Sequence, residues 1–506
     1  MSLPLIALFL AAFMSVLDGG VVYVGLPAIE RSLNVGIADQ QWILGIYVLM
    51  QGSFTLAAGT LGDLYGRRRI FLAGVALFAL GSVTCALAPS GAVLILARAL
   101  QGVGGSVLFS LSLAIGSTLV ASGEKEKLVR NFANVASLGA VVAPLLGGIL
   151  VSALGWRSIF FINVPIAALV TWVVVTQIKK STVDRVRRLD LQGQFCSLAG
   201  VFAISYVLTE GNAMGWTSVP TFAITACGVA LLAWFLHAES RSPDPMVLVS
   251  YLRDPSFAAA AIAIVINALQ YYGIYLIATN FLQDVRGENA LVTGLLLAPT
   301  TLVFFLINMN CGLVTKRIGL AATAAVGTGI ETASVVLILL LGQATNPIAM
   351  TLILALWCAG AALAYTPAMT LGMSRVPQRD AGMASGLLTM GTSLGGVVGI
   401  GLVGSVLAAG MVRTMQAAFV GSSVAPDLQN TILTATHHGG AWSVLQQPQF
   451  DPVRAPLAAI VNGAFVAGMH GAAIAVAVVS GVSTAAVVWL LLAGRGKRDL
   501  PAAAQS

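Results

Sequence analysis

The stretch Gly59-Thr60-Leu61-Gly62-Asp63-Leu64-Tyr65-Gly66-Arg67-Arg68-Arg69 separates two long apolar runs. Its glycines permit a tight turn and close helix approach. Asp63 is suited to sit near the positive N-terminus of a facing helix, and the arginines to pair with acids or lipid phosphates. A charged turn of this kind fits a latch that closes in one conformation and releases in another. Because the flanking runs are long and uncharged, the fold turns on how many such runs the chain contains.

Of 506 residues, 58% are apolar and 9% charged, against roughly 25% charged in soluble domains. The mean hydropathy is +0.92. With about 20 apolar residues per bilayer crossing, segments appear near 5–27, 42–61, 70–89, 92–117, 130–153, 158–178, 190–209, 218–237, 256–280, 291–314, 319–342, 348–372, 383–409 and 463–493. The expectation is an all-α integral membrane protein with fourteen spanners. The first run is as long as a full crossing and holds Asp18, so it reads as a retained spanner, not a cleaved leader.

Charge placement supports that count. With both ends cytoplasmic, the inner connections hold Arg67, Arg68, Arg69, Lys125, Lys127, Arg130, Lys179, Lys180, Arg185, Arg187, Arg188, Arg241, Arg253, Lys316, Arg317, Arg375, Arg379, Arg495, Lys497 and Arg498, and the outer ones only Arg31, Arg157, Arg286, Arg413 and Arg454. This asymmetry follows the positive-inside rule. The net charge of +7 therefore reads as topology, not as a nucleic-acid surface. The five cysteines lie in separate apolar runs and the four histidines are scattered, so neither disulfides nor a metal site is expected. No P-loop is present, and no cofactor is expected.

Two internal similarities share nearly one offset. Ser137-Leu138-Gly139-Ala140-Val141-Val142 recurs as Ser393-Leu394-Gly395-Gly396-Val397-Val398, and Gly59 and Gly66 are matched by Gly312 and Gly319 around Lys316 and Arg317. Parallel halves of six helices follow: residues 1–178 and 256–506, with two inserted helices and basic linkers over 179–255. The connection from about 410 to 462 is long. It reads as a lid or a partly disordered segment, and His437-His438 within it as an exposed pair lacking further metal ligands.

The Gly59–Arg69 run resembles the signature loop of the major facilitator superfamily, with Leu64 where a basic residue is usual. Leu94 to Gly105 (LILARALQGVGG) is similar to the family's fourth-helix motif, with Arg98, Gln101, Gly102 and Gly105 on one face. Gly139 to Gly148 (GAVVAPLLGG) resembles the fifth-helix antiporter motif, with Gly139, Pro144, Gly147 and Gly148 retained and Ala143 in place of a usual glycine. Leu17-Asp18, Leu26-Pro27, Trp42, Tyr47 and Trp156-Arg157…Phe160-Phe161-Ile162-Asn163-Val164-Pro165 resemble the fourteen-spanner drug:proton antiporters. The resemblance implies two six-helix bundles with the inserted pair, alternating access, and proton-coupled export of amphipathic or cationic small molecules. A proton-coupled uptake symporter, or an exporter of lipid or of one dedicated metabolite, remains the alternative on the same fold; an enzyme is not expected.

Asp18 and Arg98 lie at similar depths, ~15 Å and ~9 Å from the outer ends of their helices, and form the expected proton-coupling pair; a fixed ion pair holding the two helices is the other reading. Glu331, near the bilayer centre, is a second proton site, a cation counter-charge, or an uncharged carboxyl bonded to a neighbour. Asn267, Gln270, Tyr271 and Tyr275 form one stripe on the ninth helix, and with Tyr47, Gln51, Gln101 and Asn308 make the expected substrate cavity. Gly59, Asp63, Gly66, Arg67 and Arg68 form the expected gating loop. The expected partners are small-molecule substrate, protons and the bilayer of the inner (plasma) membrane, with the protein a monomer.

Overall fold

The computed structural model describes residues 2–179, 190–241, 249–377, 380–420, 422, 424–438 and 440–496. The basic residues Lys180, Arg185, Arg187, Arg188, Arg379, Lys497 and Arg498, and the side chains of Arg495, His437 and His438, lie outside the described set.

Among the described residues, fourteen long helices carry the fold: α1 Leu3–Leu33, α2 Ile37–Tyr65, α3 Arg67–Ala86, α4 Gly91–Gly116, α5 Lys125–Leu154, α6 Ser158–Gln177, α7 Leu191–Met214, α8 Val219–Arg241, α9 Pro255–Val285, α10 Ala290–Ile318, α11 Leu320–Leu340, α12 Pro347–Met373, α13 Ala381–Phe419 and α14 Arg454–Gly496. Among the described residues there is no strand. In hydrocarbon every backbone polar group must be satisfied within its own segment, and helices achieve this. Their starts are marked in the sequence. Asp254, Asn289 and Asn346 each accept a backbone N–H in the first turn of α9, α10 and α12, and Pro255 and Pro347 open two of these helices.

The helices form two bundles of six with matching packing. In the first, α1 packs on α5, α2 and α3 on α4, and α6 on α1 and α3; in the second, α9 packs on α13, α10 and α11 on α12, and α14 on α9 and α11. The turns that begin α3 and α11 match as well: Gly66 has φ 93° and Gly319 φ 83°, a region open to glycine without a Cβ penalty. This explains at the backbone level why the glycine spacing repeats. The bundles meet along α5 with α10 and along α2 with α13, two contacts related by the same exchange of halves. The inserted helix α7 pairs with α8 and breaks that symmetry by packing on α2 and α13 of the two bundles. Trp42 donates to Glu210 at 2.8 Å and Gln194 to the Ser53 carbonyl at 2.7 Å, while Asn212 donates to the Ser405 carbonyl at 2.7 Å, so α7 holds both halves.

On the face opposite the basic turns the halves are tied together. Tyr23 donates to the Tyr272 carbonyl at 3.2 Å, Gln283 to the Val24 carbonyl at 2.9 Å, and Asn280 to Gln40 at 2.8 Å. Gln41 donates to the carbonyls of Ile400 and Gly401 at 3.0 and 2.9 Å, and Arg31 pairs with Asp284 at 2.7 Å. The long connection expected over 410–462 is largely helical. α13 runs on to Phe419, α14 begins at Arg454, and short helices Pro426–His438 and Ala441–Leu445 lie between them. They bury Ile432, Val444 and Leu445, and Ser443 donates to Asn34, the residue just past α1, at 2.6 Å. The segment is a folded cap over the closed face.

Candidate functional site

Asp18, Arg98 and Gln101 come together in the first bundle, with side chains that sequence reading had not placed beside them. Arg98 donates through Nη1 to Asp18 Oδ2 and, at 2.6 Å, to Gln101 Oε1. Gln101 Nε2 donates to Asp18 Oδ1 at 2.7 Å and to Ser82 Oγ at 2.9 Å, and Asn163 Nδ2 donates to Asp18 Oδ1 at 2.7 Å. Arg98 Nε donates to the Ile43 carbonyl at 3.2 Å, and the guanidinium lies 4.1 Å from the centre of the Tyr47 ring. Asp18 and Asn163 are 1% exposed, and Arg98, Gln101 and Ser82 are fully buried. Burying such a charge is costly unless it is paired and hydrogen-bonded, and here both carboxylate oxygens of Asp18 and the Nε and Nη1 of Arg98 have partners.

Close helix approach makes the knot possible. A Cβ on Gly81 would lie 2.9 Å from the Gln101 backbone, and one on Gly102 would lie 2.6 Å from the Tyr47 carbonyl. Asn163 is the first residue of the long segment of α6, just past a break at Ile162. Its signal lay in the Phe160–Pro165 stretch. Ser82 left none, because one serine in an apolar run is ordinary.

Asp18 Oδ1 accepts two amide N–H groups, and Oδ2 accepts from Arg98. Through Arg98 Nε the pair is bonded to the Ile43 carbonyl, two residues from Gln41, which bonds across to α13. The Asp18–Arg98 pair is thereby joined to the α2–α13 contact between the halves.

The second bundle holds a related knot. Asn267 Nδ2 donates to Glu331 Oε1 and to the Ala361 carbonyl, uniting α9, α11 and α12, as Asp18, Ser82 and Gln101 unite α1, α3 and α4. The acid has moved from the first helix of the half to the third. Glu331 is fully buried, and its Oε2 has no hydrogen-bond partner among the described residues.

Most residues expected to line a cavity are enclosed within the bundles in this conformation. Gln101 and Tyr47 belong to the ion-pair knot. Gln270 accepts from Trp357 Nε1 at 2.9 Å, Tyr275 bonds Thr300 at 2.8 Å, and Asn308 accepts from Thr366. Tyr271 stacks on Trp357 with centroids 6.1 Å apart and stays partly exposed, and Gln51 donates to Ser15 at 2.9 Å. The stripe on α9 is real as a helix face; it meets α10, α11 and α12, and Tyr275 also meets Tyr23 of α1 across the halves, with ring centroids 6.1 Å apart. Spacing identifies the face, and only packing shows which neighbour it meets.

The glycine motif of α5 lies where three helices meet. A Cβ on Gly139 would stand 2.9 Å from the Phe13 carbonyl, and one on Gly147 2.8 Å from Val21, both on α1. Gly148 faces α10, with its virtual Cβ 2.6 Å from the Ala290 carbonyl, and the Pro144 carbonyl meets Gly294 of α10. At the basic turn, Arg67 pairs with Asp63 at 2.9 Å and donates to the Ala114 carbonyl at the end of α4, while Arg68 donates to the Val174 and Val175 carbonyls at the end of α6. The turn thus ties α2, α3, α4 and α6 at one face. Gly59 differs from the α5 glycines, since a Cβ there meets nothing within 4 Å. Gly59→Ala should stabilise α2 by about 1 kcal/mol, the usual gain in a helix interior, raising the melting temperature of the purified protein. If transport falls while stability rises, Gly59 is needed for close approach in the other conformation; a lower melting temperature contradicts the open site.

The family model of the Major Facilitator Superfamily matches residues 8–400. Multidrug resistance protein Stp of Mycobacterium tuberculosis (strain CDC 1551 / Oshkosh) is 40% identical over 82% of this chain and 77% of its own. Drug efflux pump JefA of the same organism is 31% identical over 80% of each. Among solved structures, a bacterial homologue of the human lysosomal transporter Spinster matches with TM-score 0.69 and 16% identity over 96% of this chain and 97% of its own. From these matches and the paired six-helix bundles, the chain belongs to the Major Facilitator Superfamily.

Proposed function

We propose that the protein exports amphipathic or cationic small molecules in exchange for protons, with Asp18 as the coupling acid. The observation that carries this reading is the Asp18–Arg98 pair. It is buried, and it is bonded to α2 two residues from a contact between the halves. The names of Stp and JefA, multidrug resistance protein and drug efflux pump, support export of drug-like compounds. Residues 1–178 and 256–506 act as two rocking units, with 179–255 as an insert. The basic face is cytoplasmic by the positive-inside rule, which puts both termini inside the plasma membrane. The protein works as a monomer, because each half finds its partner within one chain.

In the closed state Arg98 is bound to Asp18. A proton taken up by the carboxylate removes the charge that strengthens this bond and frees Arg98 for α2, and substrate and proton then compete through the state of the halves instead of through one shared atom. Glu331 supplies a second buried acid, bonded to Asn267, that changes protonation in the same cycle. The test is flux in proteoliposomes under an imposed pH gradient, with ethidium as the lipophilic cation and an internal pH dye reporting protons. The expected result is ethidium movement against its gradient with protons moving oppositely. Co-directional proton movement supports the symporter instead, and ethidium flux indifferent to the gradient removes proton coupling.

A further inference from the structure

Between α3 and α6, on the membrane side of the first bundle, lies an open groove of about 510 Å³ whose lining includes Ala76, Ala79, Ala168, Trp172 and Val175. Small residues on both helices leave the space. Trp172 borders it while remaining 58% exposed. An unfilled gap in hydrocarbon forfeits dispersion contacts on its walls, so a chain of some kind occupies it. The cytoplasmic mouth is basic. Arg68 is held there by its bonds to the carbonyls of Val174 and Val175, the second of which lines the groove. Arg69 and Lys179 are exposed, Arg69 one turn to two before Val75 on α3 and Lys179 three residues beyond Thr176 at the end of α6.

We propose that this groove binds an acidic phospholipid of the cytoplasmic leaflet, its acyl chain lying along α3 and α6 against Trp172 and its phosphate meeting Arg69 and Lys179. Three features converge on that occupant. The cleft opens to lipid, its walls are apolar, and its cations lie only at the end where headgroups lie. Basic sites between spanning helices on the cytoplasmic side favour anionic headgroups, and the aliphatic stems of Lys and Arg let the charges reach them. A neutral lipid would satisfy the walls and leave the cations unanswered. The bound lipid would also brace the α3 end of the basic turn, since Arg68 links that turn to α6.

The experiment uses the full-length protein in nanodiscs of phosphatidylcholine carrying a minor fraction of acyl-brominated lipid, either phosphatidylglycerol or phosphatidylcholine. Trp172 emission is obtained as the difference between wild type and Trp172→Phe. Brominated phosphatidylglycerol should quench that difference signal with roughly tenfold preference over brominated phosphatidylcholine, as two basic residues near an anionic headgroup allow after salt screening. Arg69→Gln with Lys179→Gln should remove the preference while leaving some quenching. Ala76→Leu with Ala168→Leu should fill the groove and reduce quenching by both lipids. Lys316→Gln with Arg317→Gln, at the equivalent turn of the second half, should change neither. Equal quenching by the two lipids in wild type, or a preference that survives Arg69→Gln/Lys179→Gln, overturns the proposal and leaves ordinary boundary lipid.

Discussion

Asp18→Asn should reduce gradient-driven transport to the level of protein-free liposomes and also destabilise the protein by about 3–5 kcal/mol, the usual cost of breaking a buried ion pair from one side. The stability loss follows from what remains. Arg98 is fully buried, and a guanidinium keeps its charge at any physiological pH. The asparagine preserves an acceptor for Gln101 and Asn163 but presents Arg98 with either a neutral oxygen or an N–H. Arg98→Met should be milder, because an acid left without its cation can take up a proton and stay bonded to Gln101 and Asn163. Asp18→Asn with Arg98→Met should then recover most of the lost stability, since apolar replacement of a whole buried pair is often neutral, while transport stays at background. Melting curves of the four proteins, together with ethidium flux, test both parts. A double variant that regains transport would remove Asp18 from the coupling step; a single Asp18→Asn variant with unchanged melting would contradict the buried pair.

The fourteen helices were legible because hydropathy and basic turns act segment by segment, and each helix satisfies its own backbone. The paired halves were legible from two similarities, and Gly66 and Gly319 show why: a turn that needs positive φ keeps its glycine. Asp18 and Arg98 stood out because charge inside a membrane is conspicuous. Ser82 and Asn163 complete the same site from α3 and α6 but are inconspicuous, since neither is costly enough in isolation to mark a run. The stripe Asn267, Gln270, Tyr271 and Tyr275 was legible as a face, and its neighbours were not. Spacing along one helix carries no information on whether that face meets an opening or Glu331, Trp357 and Thr300. The outer connection was obscured for another reason. Its helices are amphipathic and short, so a membrane-length window averages their signal away, although Ile432 and Leu445 are buried.

Gly148→Val should hold the halves apart and lower transport by a factor similar to the fall in the closed state while leaving each bundle folded. A Cβ at Gly148 would lie 2.6 Å from the Ala290 carbonyl and 3.1 Å from the Leu291 Cα. Both obstacles are backbone, so no side chain can rotate away, and α5 must draw back from α10. Overpacking of this kind costs about 1–3 kcal/mol. Because α5 and α10 belong to different halves, the molecule escapes the clash by opening instead of unfolding, and the closed-to-open ratio falls by roughly five- to a hundredfold. Spin labels at Leu154→Cys and Leu291→Cys, exposed at 73% and 37% near the ends of these helices opposite the basic turns, report the separation directly. The background needs only Cys227→Ser, as Cys85, Cys196, Cys311 and Cys358 are buried. The distance distribution should move to longer values in Gly148→Val, with Gly148→Ala between it and wild type, and melting should change far less than in Asp18→Asn. Unchanged distances with normal transport would mean that the α5–α10 crossing is not part of the closing surface. Longer distances with normal transport would instead show that the closed state is dispensable, which alternating access does not permit.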